Sequence, residues 1–162
     1  MASRFTDAEI AQLLTEPKSL PDDYQADLRL RPRSGHERAE LEVRTPSGNR
    51  FRIMLRQNTR NALDFSAIVA HTPSNSNLLF RLRRYNGRSH EHTNRLEGTT
   101  FYDFHIHTAT ERYQDLGAKE DSFAEPSDRF ADLRGALTCL LDDCGFRRPD
   151  TPQLSLLDGL PP

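Results

Sequence analysis

The chain has 162 residues, of which 35% are hydrophobic and 28% charged, and its formal net charge is −2. This length suits one domain with a modest core. The sequence shows no apolar run of membrane-spanning length and no signal-peptide pattern, so a cytoplasmic protein without membrane contact is expected. Cys139 and Cys144 fall on one predicted helix and are too few for a zinc site, which favours reduced thiols.

The N-terminal region predicts a short helix. Thr6 and Glu9 have the spacing of a capping box, and apolar residues follow on one face. Pro17 ends the pattern, so the helix is predicted from about Asp7 to Glu16.

Six segments then alternate apolar and polar residues, which is typical of half-buried strands. These predicted strands are Asp27–Arg31, Ala39–Arg44, Arg50–Arg56, Leu63–Ala70, Leu78–Arg84 and Thr100–Thr110. The turn residues of 45–49 join the second and third strands as a hairpin. The segment 117–126 is predicted to be a loop.

The C-terminal helix is predicted from Asp128 to Asp143, with Ser127 as its N-cap and Gly145 as its stop. The fold class is therefore α+β: an antiparallel meander of about six strands, with an N-terminal and a C-terminal helix packed on one face. Residues 1–146 are expected to form this single domain, and 147–162 a flexible, proline-rich tail.

The alternation divides the predicted sheet into two faces. The face that the helices would cover carries Leu28, Leu30, Leu41, Val43, Phe51, Ile53, Leu55, Phe80, Leu82, Tyr102, Phe104 and Ile106. The opposite face carries Arg29, Arg31, Arg50, Arg52, Arg56, Arg81, Arg83, His105 and His107. From Gln25 to Thr100 there are fourteen arginines and seven acids. The arginine-rich face is either an ordinary solvated face or a surface for weak nucleic-acid binding.

A histidine-rich stretch runs from Tyr85 to Tyr113, and a hairpin would bring its imidazoles together. Imidazole binds zinc, iron, nickel and copper, so one interpretation is a metal site formed by His90, His92, Glu97 and His105. The spacing His90-x-His92-x4-Glu97 resembles the first motif of the cupins. The second cupin motif is absent from the sequence.

Two other interpretations of this stretch remain open. Histidines could act as acid and base in metal-free cleavage of RNA or DNA, with arginines holding the phosphate. The candidate catalytic residues would be His92, His105, His107 and Glu111. Alternatively, the histidines are structural and satisfy the backbone of turns.

The pattern His92-x-Asn94 followed by His105-x-His107-x3-Glu111-x-Tyr113 resembles one found in small bacterial proteins, some of them linked with toxin–antitoxin loci. This resemblance covers about a fifth of the chain. It implies a bacterial origin and a genomic context rather than a particular chemistry.

The tail contains the pentapeptide Gln153, Leu154, Ser155, Leu156 and Leu157. It is similar to the clamp-binding motif of bacterial replication proteins, Gln-Leu-Ser/Asp-Leu-Phe, with leucine in place of the final phenylalanine. Such a peptide places two apolar anchors in a cleft of the ring-shaped clamp, and the glutamine amide forms hydrogen bonds at its rim. A leucine-rich tail without function is the alternative.

Together, the tail and the histidine pattern resemble SocB-type bacterial toxins, which inhibit DNA replication by occupying the sliding clamp. The resemblance implies that the partner is the β sliding clamp of DNA polymerase III, and that an antitoxin acts as a proteolytic adaptor to ClpXP. It also implies a binding protein rather than an enzyme, with no cofactor. The alternatives are a His/Arg-based ribonuclease-type toxin and a cupin-like metal-binding protein that uses the His90–His107 cluster.

Overall fold

The computed structural model describes residues 4–74 and 76–149. The clamp-like pentapeptide, Gln153 to Leu157, lies outside the described residues. The first element is helix α1 (Asp7–Thr15), which begins at the predicted capping box: Thr6 Oγ1 accepts from Glu9 N–H, and the Glu9 carboxylate accepts from Thr6 N–H. Its buried residues Ile10, Leu13 and Leu14 face the core.

A seven-stranded antiparallel sheet forms the body of the fold. Its strands lie in the order β10-β9-β6-β5-β4-β3-β2. Their bounds are β2 (Arg31–Arg33), β3 (His36–Arg44), β4 (Arg50–Asn58), β5 (Phe65–Thr72), β6 (Phe80–Asn86), β9 (His105–Thr108) and β10 (Phe123–Pro126). Strands β2 to β6 form a meander, and the chain then leaves the sheet before β9 joins it beside β6.

The excursion between β6 and β9 is a small hairpin of β7 (His92–Asn94) and β8 (Thr99–Phe101). It forms a separate two-stranded sheet and contacts β10. The short helix α3 (Glu111–Asp115) follows β9, with Thr110 as its N-cap. The hairpin therefore lies beside the β9–β10 edge of the main sheet, and this position determines the site described below.

Helix α4 (Leu133–Asp143) packs against β5 and β6, and it shares one hydrophobic core with α1. Gly145 follows it with φ of +76°, and an added Cβ would lie 2.5 Å from the Glu16 carbonyl oxygen. Glycine is therefore required at the predicted stop of this helix. The α+β prediction, with both terminal helices on one face of an antiparallel sheet, is confirmed.

Four local predictions were wrong. The segment Asp27–Arg31 does not form a strand; helix α2 (Tyr24–Asp27) precedes β2 instead. Helix α4 begins at Leu133, because Asp132, and not Ser127, accepts from Gly135 N–H at 2.7 Å as the N-cap. The predicted loop 117–126 contains β10, which extends the sheet by one edge strand. The predicted strand Thr100–Thr110 is divided into β8 and β9.

The core face of the sheet agrees with the predicted alternation over β3, β4 and the first half of β6, where Val43, Phe51, Ile53, Leu55 and Leu82 are buried. A bulge in the β5–β6 pair then shifts the register, so Arg83 lies opposite the buried Val69 and 4.0 Å from Asp143 of α4, on the core face rather than on the predicted arginine face. Tyr102 was assigned to this face, but it lies between β8 and β9 and is 49% exposed. On the opposite face, His105 and His107 are buried rather than solvated.

Lys18 connects the ends of both long helices. It lies in β1 (Lys18–Ser19), which pairs in parallel with β11 (Phe146–Arg147), and its side chain is completely buried. Its Nζ lies within hydrogen-bond distance of four carbonyl oxygens, which its three N–H groups share: Leu13 at 2.7 Å, Leu14 at 3.1 Å, Glu16 at 2.9 Å and Cys144 at 2.7 Å. Burial lowers the pKa of Lys18 to about 8. The ammonium thus binds the orphan carbonyls at the C-terminal ends of α1 and α4.

Among residues 4–74 and 76–149, no helix is both long enough and apolar enough to cross a membrane.

Candidate metal centre

One strand and one hairpin bring three histidines together. His105 and His107 are two residues apart on β9, so their side chains lie on the same face. The β7–β8 hairpin places His92 against them. The centroid of the His92 ring lies 5.5 Å from that of His105 and 4.9 Å from that of His107. One ring nitrogen of each histidine lies within 4.8 Å of the other two. His92, His105 and His107 are called the histidine triad below.

Backbone carbonyls determine the tautomers of the two β9 histidines. His105 Nδ1 lies 2.7 Å from the Asp103 carbonyl oxygen, and His107 Nδ1 lies 2.8 Å from that of Asp121. A carbonyl only accepts, so each Nδ1 carries the proton and donates it. Each Nε2 is therefore left with a free lone pair. Metal-binding histidines commonly have this arrangement, in which the remote nitrogen is held by a carbonyl.

Asn94 orients the third histidine. The Asn94 amide is held in one orientation, since Oδ1 accepts from Ala124 N–H at 2.9 Å and Nδ2 donates to the Ala124 carbonyl at 2.7 Å. The same Oδ1 lies 2.8 Å from His92 Nε2, which must therefore be the donor. In the neutral form of the His92 ring, the lone pair is therefore on Nδ1. All three rings present a nitrogen that is able to bind a metal ion.

The environment of the triad keeps the β9 imidazoles neutral at pH 7. Burial, together with the positive charge of nearby residues, lowers the pKa of His105 to about 4. Burial and the Arg84 charge lower the pKa of His107 to about 2. Neutral imidazole is the form that binds metal, so no proton has to be displaced at neutral pH.

One buried nitrogen of the triad lacks a partner. His105 Nε2 is fully enclosed, and no hydrogen-bond partner for it exists among residues 4–74 and 76–149. A buried polar atom left in this state costs about 1–3 kcal/mol. Neighbouring nitrogens of a tetrahedral zinc site are about 3.3 Å apart, so each triad nitrogen would have to move inward by less than about 1 Å. A metal ion would supply the missing partner after small ring rotations.

Aromatic rings surround the triad on the hairpin side. The Phe101 ring on β8 lies 5.4 Å from that of His92 and 5.6 Å from that of His105. His90 is exposed, and its ring lies 5.9 Å from that of His105, edge to face. His90 thus stands beside the triad, outside the group of three converging nitrogens.

Asp121 connects the triad to an arginine. Its carbonyl holds His107, while its completely buried carboxylate accepts from Arg84 Nε at 3.1 Å. Arg81 Nε lies 3.4 Å from the same carboxylate oxygen. Arg84 lies directly opposite His107 across the β6–β9 pair. A negative and a positive charge are therefore fixed next to the histidine triad.

The structure separates the sets of residues that the sequence suggested. Of the metal set, His92 and His105 meet, whereas Glu97 accepts from Tyr113 Oη at 2.6 Å and from Arg112 Nε at 2.7 Å. Of the catalytic set, the three histidines meet. Glu111 accepts from Arg4 and from Asp7 N–H, where α3 contacts the N-terminal segment.

Sequence reasoning missed Asp121 and Arg84 as site residues. Arg84 was the last residue of a predicted strand, and Asp121 lay in a segment that was predicted to be a loop. The only available signal was the acidic pair Glu120-Asp121 shortly before β10, because the pairing of β10 with β9 is a tertiary contact.

The arginine face carries its own counterions. Arg52 lies 3.6 Å from Glu40 and 3.7 Å from Glu42, and Arg56 pairs with Asp64 at 3.1 Å. Arg81 Nε lies 3.9 Å from a carboxylate oxygen of Glu120 and 3.4 Å from one of Asp121. Because acids alternate with these arginines, the face has much less positive potential than its arginine count suggests.

Comparison of the chain with protein-family models, with curated proteins and with solved structures finds no match.

Proposed function

We propose that this protein binds a divalent transition-metal ion through His92, His105 and His107, and that the ion is zinc. Three neutral imidazoles form a donor set that suits zinc, copper and nickel. A zinc ion with three protein ligands keeps a fourth position for water or another ligand, as in catalytic zinc sites. The proposed centre is therefore one that binds and activates a ligand.

The unpartnered Nε2 of His105 is the observation that carries this proposal. One nitrogen of each triad ring is held by Asp103, Asp121 or Asn94, and the other nitrogen forms no hydrogen bond within the described part of the chain. A purely structural histidine cluster would use these free nitrogens for hydrogen bonds within the protein, since unsatisfied buried groups destabilise the fold.

Metal binding also fits the triad better than metal-free acid–base catalysis. A general acid or base works best when its pKa is near the working pH. With a pKa lowered to about 2, His107 would not carry a proton to donate at pH 7. Glu111, the fourth residue of the catalytic hypothesis, contacts Arg4 and the start of α1.

The test is a metal titration of the full-length chain after removal of bound metal with a chelator. Isothermal titration calorimetry with zinc should give one site per chain, and His105→Asn or His107→Asn should abolish it. His36→Asn is the matched control, because His36 lies on β3, towards the other edge of the sheet. His36→Asn should bind zinc as the wild type does. Failure of zinc, copper, nickel and iron to bind the wild type would refute the proposal.

We also propose, as a second function, inhibition of DNA replication through binding to the bacterial sliding clamp. The observation that favours it is the clamp-like pentapeptide at Gln153 to Leu157. Two leucine anchors, each contributing about 1.5–3 kcal/mol when buried, would supply about 3–6 of the roughly 8 kcal/mol that micromolar binding requires, and the hydrogen bonds of Gln153 would add to this. On this proposal, an antitoxin that delivers the chain to ClpXP would relieve the inhibition, and the arginine face would make weak, salt-dependent contacts with nucleic acid.

The clamp test compares the full chain with a chain that ends at Pro149. This end point retains Arg147, whose carbonyl accepts from Leu20 N–H at 2.9 Å, so the β1–β11 pair is preserved. The truncated chain and the Leu156→Ala/Leu157→Ala variant should both lose binding to purified clamp. Equal binding by all three chains would refute the role of the pentapeptide.

A further inference from the structure

Arg84 is placed to meet any ligand that occupies the fourth position of the proposed metal. Arg84 is the direct cross-strand partner of His107, so both side chains lie on one face of the sheet with Cβ atoms about 5 Å apart.

The carboxylate of Asp121 holds the guanidinium by one nitrogen only. Arg84 Nε donates to Asp121 Oδ2 at 3.1 Å, and within 4–74 and 76–149 the two terminal nitrogens donate to no acceptor. The Arg84 side chain is 27% exposed, so it is partly accessible to solvent. A guanidinium that is anchored at Nε and open at both Nη atoms presents two parallel donors.

Asn86 offers a further donor on the same face. It lies directly opposite His105, and its Oδ1 accepts from Ser66 Oγ at 2.9 Å. Among residues 4–74 and 76–149 the amide nitrogen of Asn86 donates to no acceptor, so it is able to donate to a ligand. Arg84 and Asn86 thus lie on the same face of the sheet as His107 and His105, and a guanidinium and an amide N–H both donate to negatively charged oxygen.

We infer that the site binds a phosphate group, with one oxygen on the metal ion and others on the Nη atoms of Arg84. The inference rests on the proposed metal function. Arginine binds phosphate through paired hydrogen bonds, and a divalent metal ion binds the same group as a Lewis acid. The buried carboxylate of Asp121 positions Arg84 for this contact and compensates its charge, so that the arginine and the metal ion can occupy neighbouring positions.

The test uses cobalt(II) in place of zinc, because the visible absorption of cobalt reports the ligands that surround it. Inorganic phosphate should change the spectrum of the cobalt-loaded wild type in a saturable way. Arg84→Gln should bind cobalt at least as tightly as the wild type, because a positive charge is removed, but should bind phosphate about tenfold to a hundredfold more weakly. Arg84→Lys, which keeps the charge but not the two parallel donors, should fall between them.

Arg52→Gln is the matched control. Arg52 lies on the same face of the sheet and is also partly exposed, but it contacts Glu40 and Glu42 on β3. This variant should bind phosphate as the wild type does. Phenyl phosphate serves as a second probe: equal binding indicates a phosphate ester as the ligand, and binding of inorganic phosphate alone indicates the free anion.

The outcomes separate the two proposals. If cobalt binds but phosphate leaves the wild-type spectrum unchanged, the phosphate site is refuted and the metal site stands. If phosphate binds equally well to the wild type and to Arg84→Gln, the role of Arg84 is refuted. If neither cobalt nor zinc binds, the metal site is refuted and the phosphate site with it.

Discussion

Lys18 and His105 are both completely buried, yet the fold surrounds them in opposite ways. Lys18 places an ammonium group among four carbonyl oxygens that no helix hydrogen bond uses. His105 has one satisfied nitrogen, and its other nitrogen faces two further imidazoles. Within one small domain, one buried polar side chain is saturated with partners and another has an open position.

The difference separates a structural site from a functional one. A saturated buried charge stabilises the groups around it, and its removal leaves them without partners. A buried nitrogen without a hydrogen-bond partner lowers the stability of the fold unless a ligand binds to it. The presence of such a nitrogen in this protein therefore indicates a ligand. Changes at Lys18 should therefore act on folding, whereas changes at the triad should act on metal binding.

The largest expected effect is that of Lys18→Met. Methionine fills a similar volume but donates no hydrogen bond, so the carbonyls of Leu13, Leu14, Glu16 and Cys144 lose their shared donor. We expect the free energy of unfolding to fall by about 3–5 kcal/mol, as for other buried charges whose partners are left behind. Urea denaturation followed by circular dichroism measures this change.

Lys119→Met is the control for Lys18, because the only other lysine of the chain is exposed. Its substitution should change the free energy of unfolding by less than about 0.5 kcal/mol. A loss below about 1 kcal/mol for Lys18→Met would show that water replaces the ammonium group, and the contrast with His105 would disappear.

The next effect is the response of stability to zinc. At a free zinc concentration of a hundred times Kd, binding should raise the free energy of unfolding of the wild type by about 2.7 kcal/mol. His105→Leu should show no zinc response. Without zinc, His105→Leu should differ from the wild type by less than about 1.5 kcal/mol, because loss of the Asp103 hydrogen bond is offset by removal of the unsatisfied nitrogen.

Thermal or urea unfolding with and without zinc measures both quantities on the same samples. A large destabilisation of metal-free His105→Leu, comparable to that of Lys18→Met, would contradict the comparison. His105 would then be a structural residue in the same sense as Lys18.

Much of the fold could be predicted from the sequence, because its elements depend on local patterns. The capping box at Thr6 and Glu9, the alternation along β3 and β4, and the glycine after α4 are all set by neighbouring residues. The start of α4 was misplaced because two residues, Ser127 and Asp132, both suit an N-cap, and packing selects between them. The strand β10 was missed because only its pairing with β9 makes it a strand.

The site was less predictable, since it depends on contacts between distant segments. The two-residue spacing of His105 and His107 predicts that they share a face, but the position of the hairpin decides that His92 joins them rather than Glu97. Tyr113 and Arg112, on α3, hold Glu97 away from the triad. Asp121 lies in a segment without a periodic pattern. Arg84 lies on a strand with several arginines, and the sequence does not distinguish it from the others.

A smaller effect is expected at Asn94, which touches no metal ion in the proposed site. Asn94→Ala removes the amide that fixes the ring of His92 and connects it to Ala124. Loss of such a supporting hydrogen bond should lower zinc affinity by about tenfold to a hundredfold. Competition with a chromophoric chelator measures the affinity.

Thr93→Ala is the control for Asn94, because Thr93 lies next to it on β7 and its hydroxyl forms a hydrogen bond across the hairpin with that of Thr100. It should keep the zinc affinity of the wild type within a factor of about three. If both variants lose the same affinity, the hairpin as a whole is loosened, and Asn94 has no particular role in orienting His92.

The smallest effect is expected for a charged residue that is neither buried nor open to a ligand. Arg52 is 35% exposed and lies 3.6 Å and 3.7 Å from two carboxylates, so its ion pairs are long and hydrated. Arg52→Gln should change the free energy of unfolding by less than about 0.5 kcal/mol, with any difference vanishing at high salt. Urea denaturation at low and at high salt measures both expectations. A loss above about 1 kcal/mol that persists at high salt would mean that this surface charge is held as tightly as Lys18, and burial would no longer explain the difference between the sites.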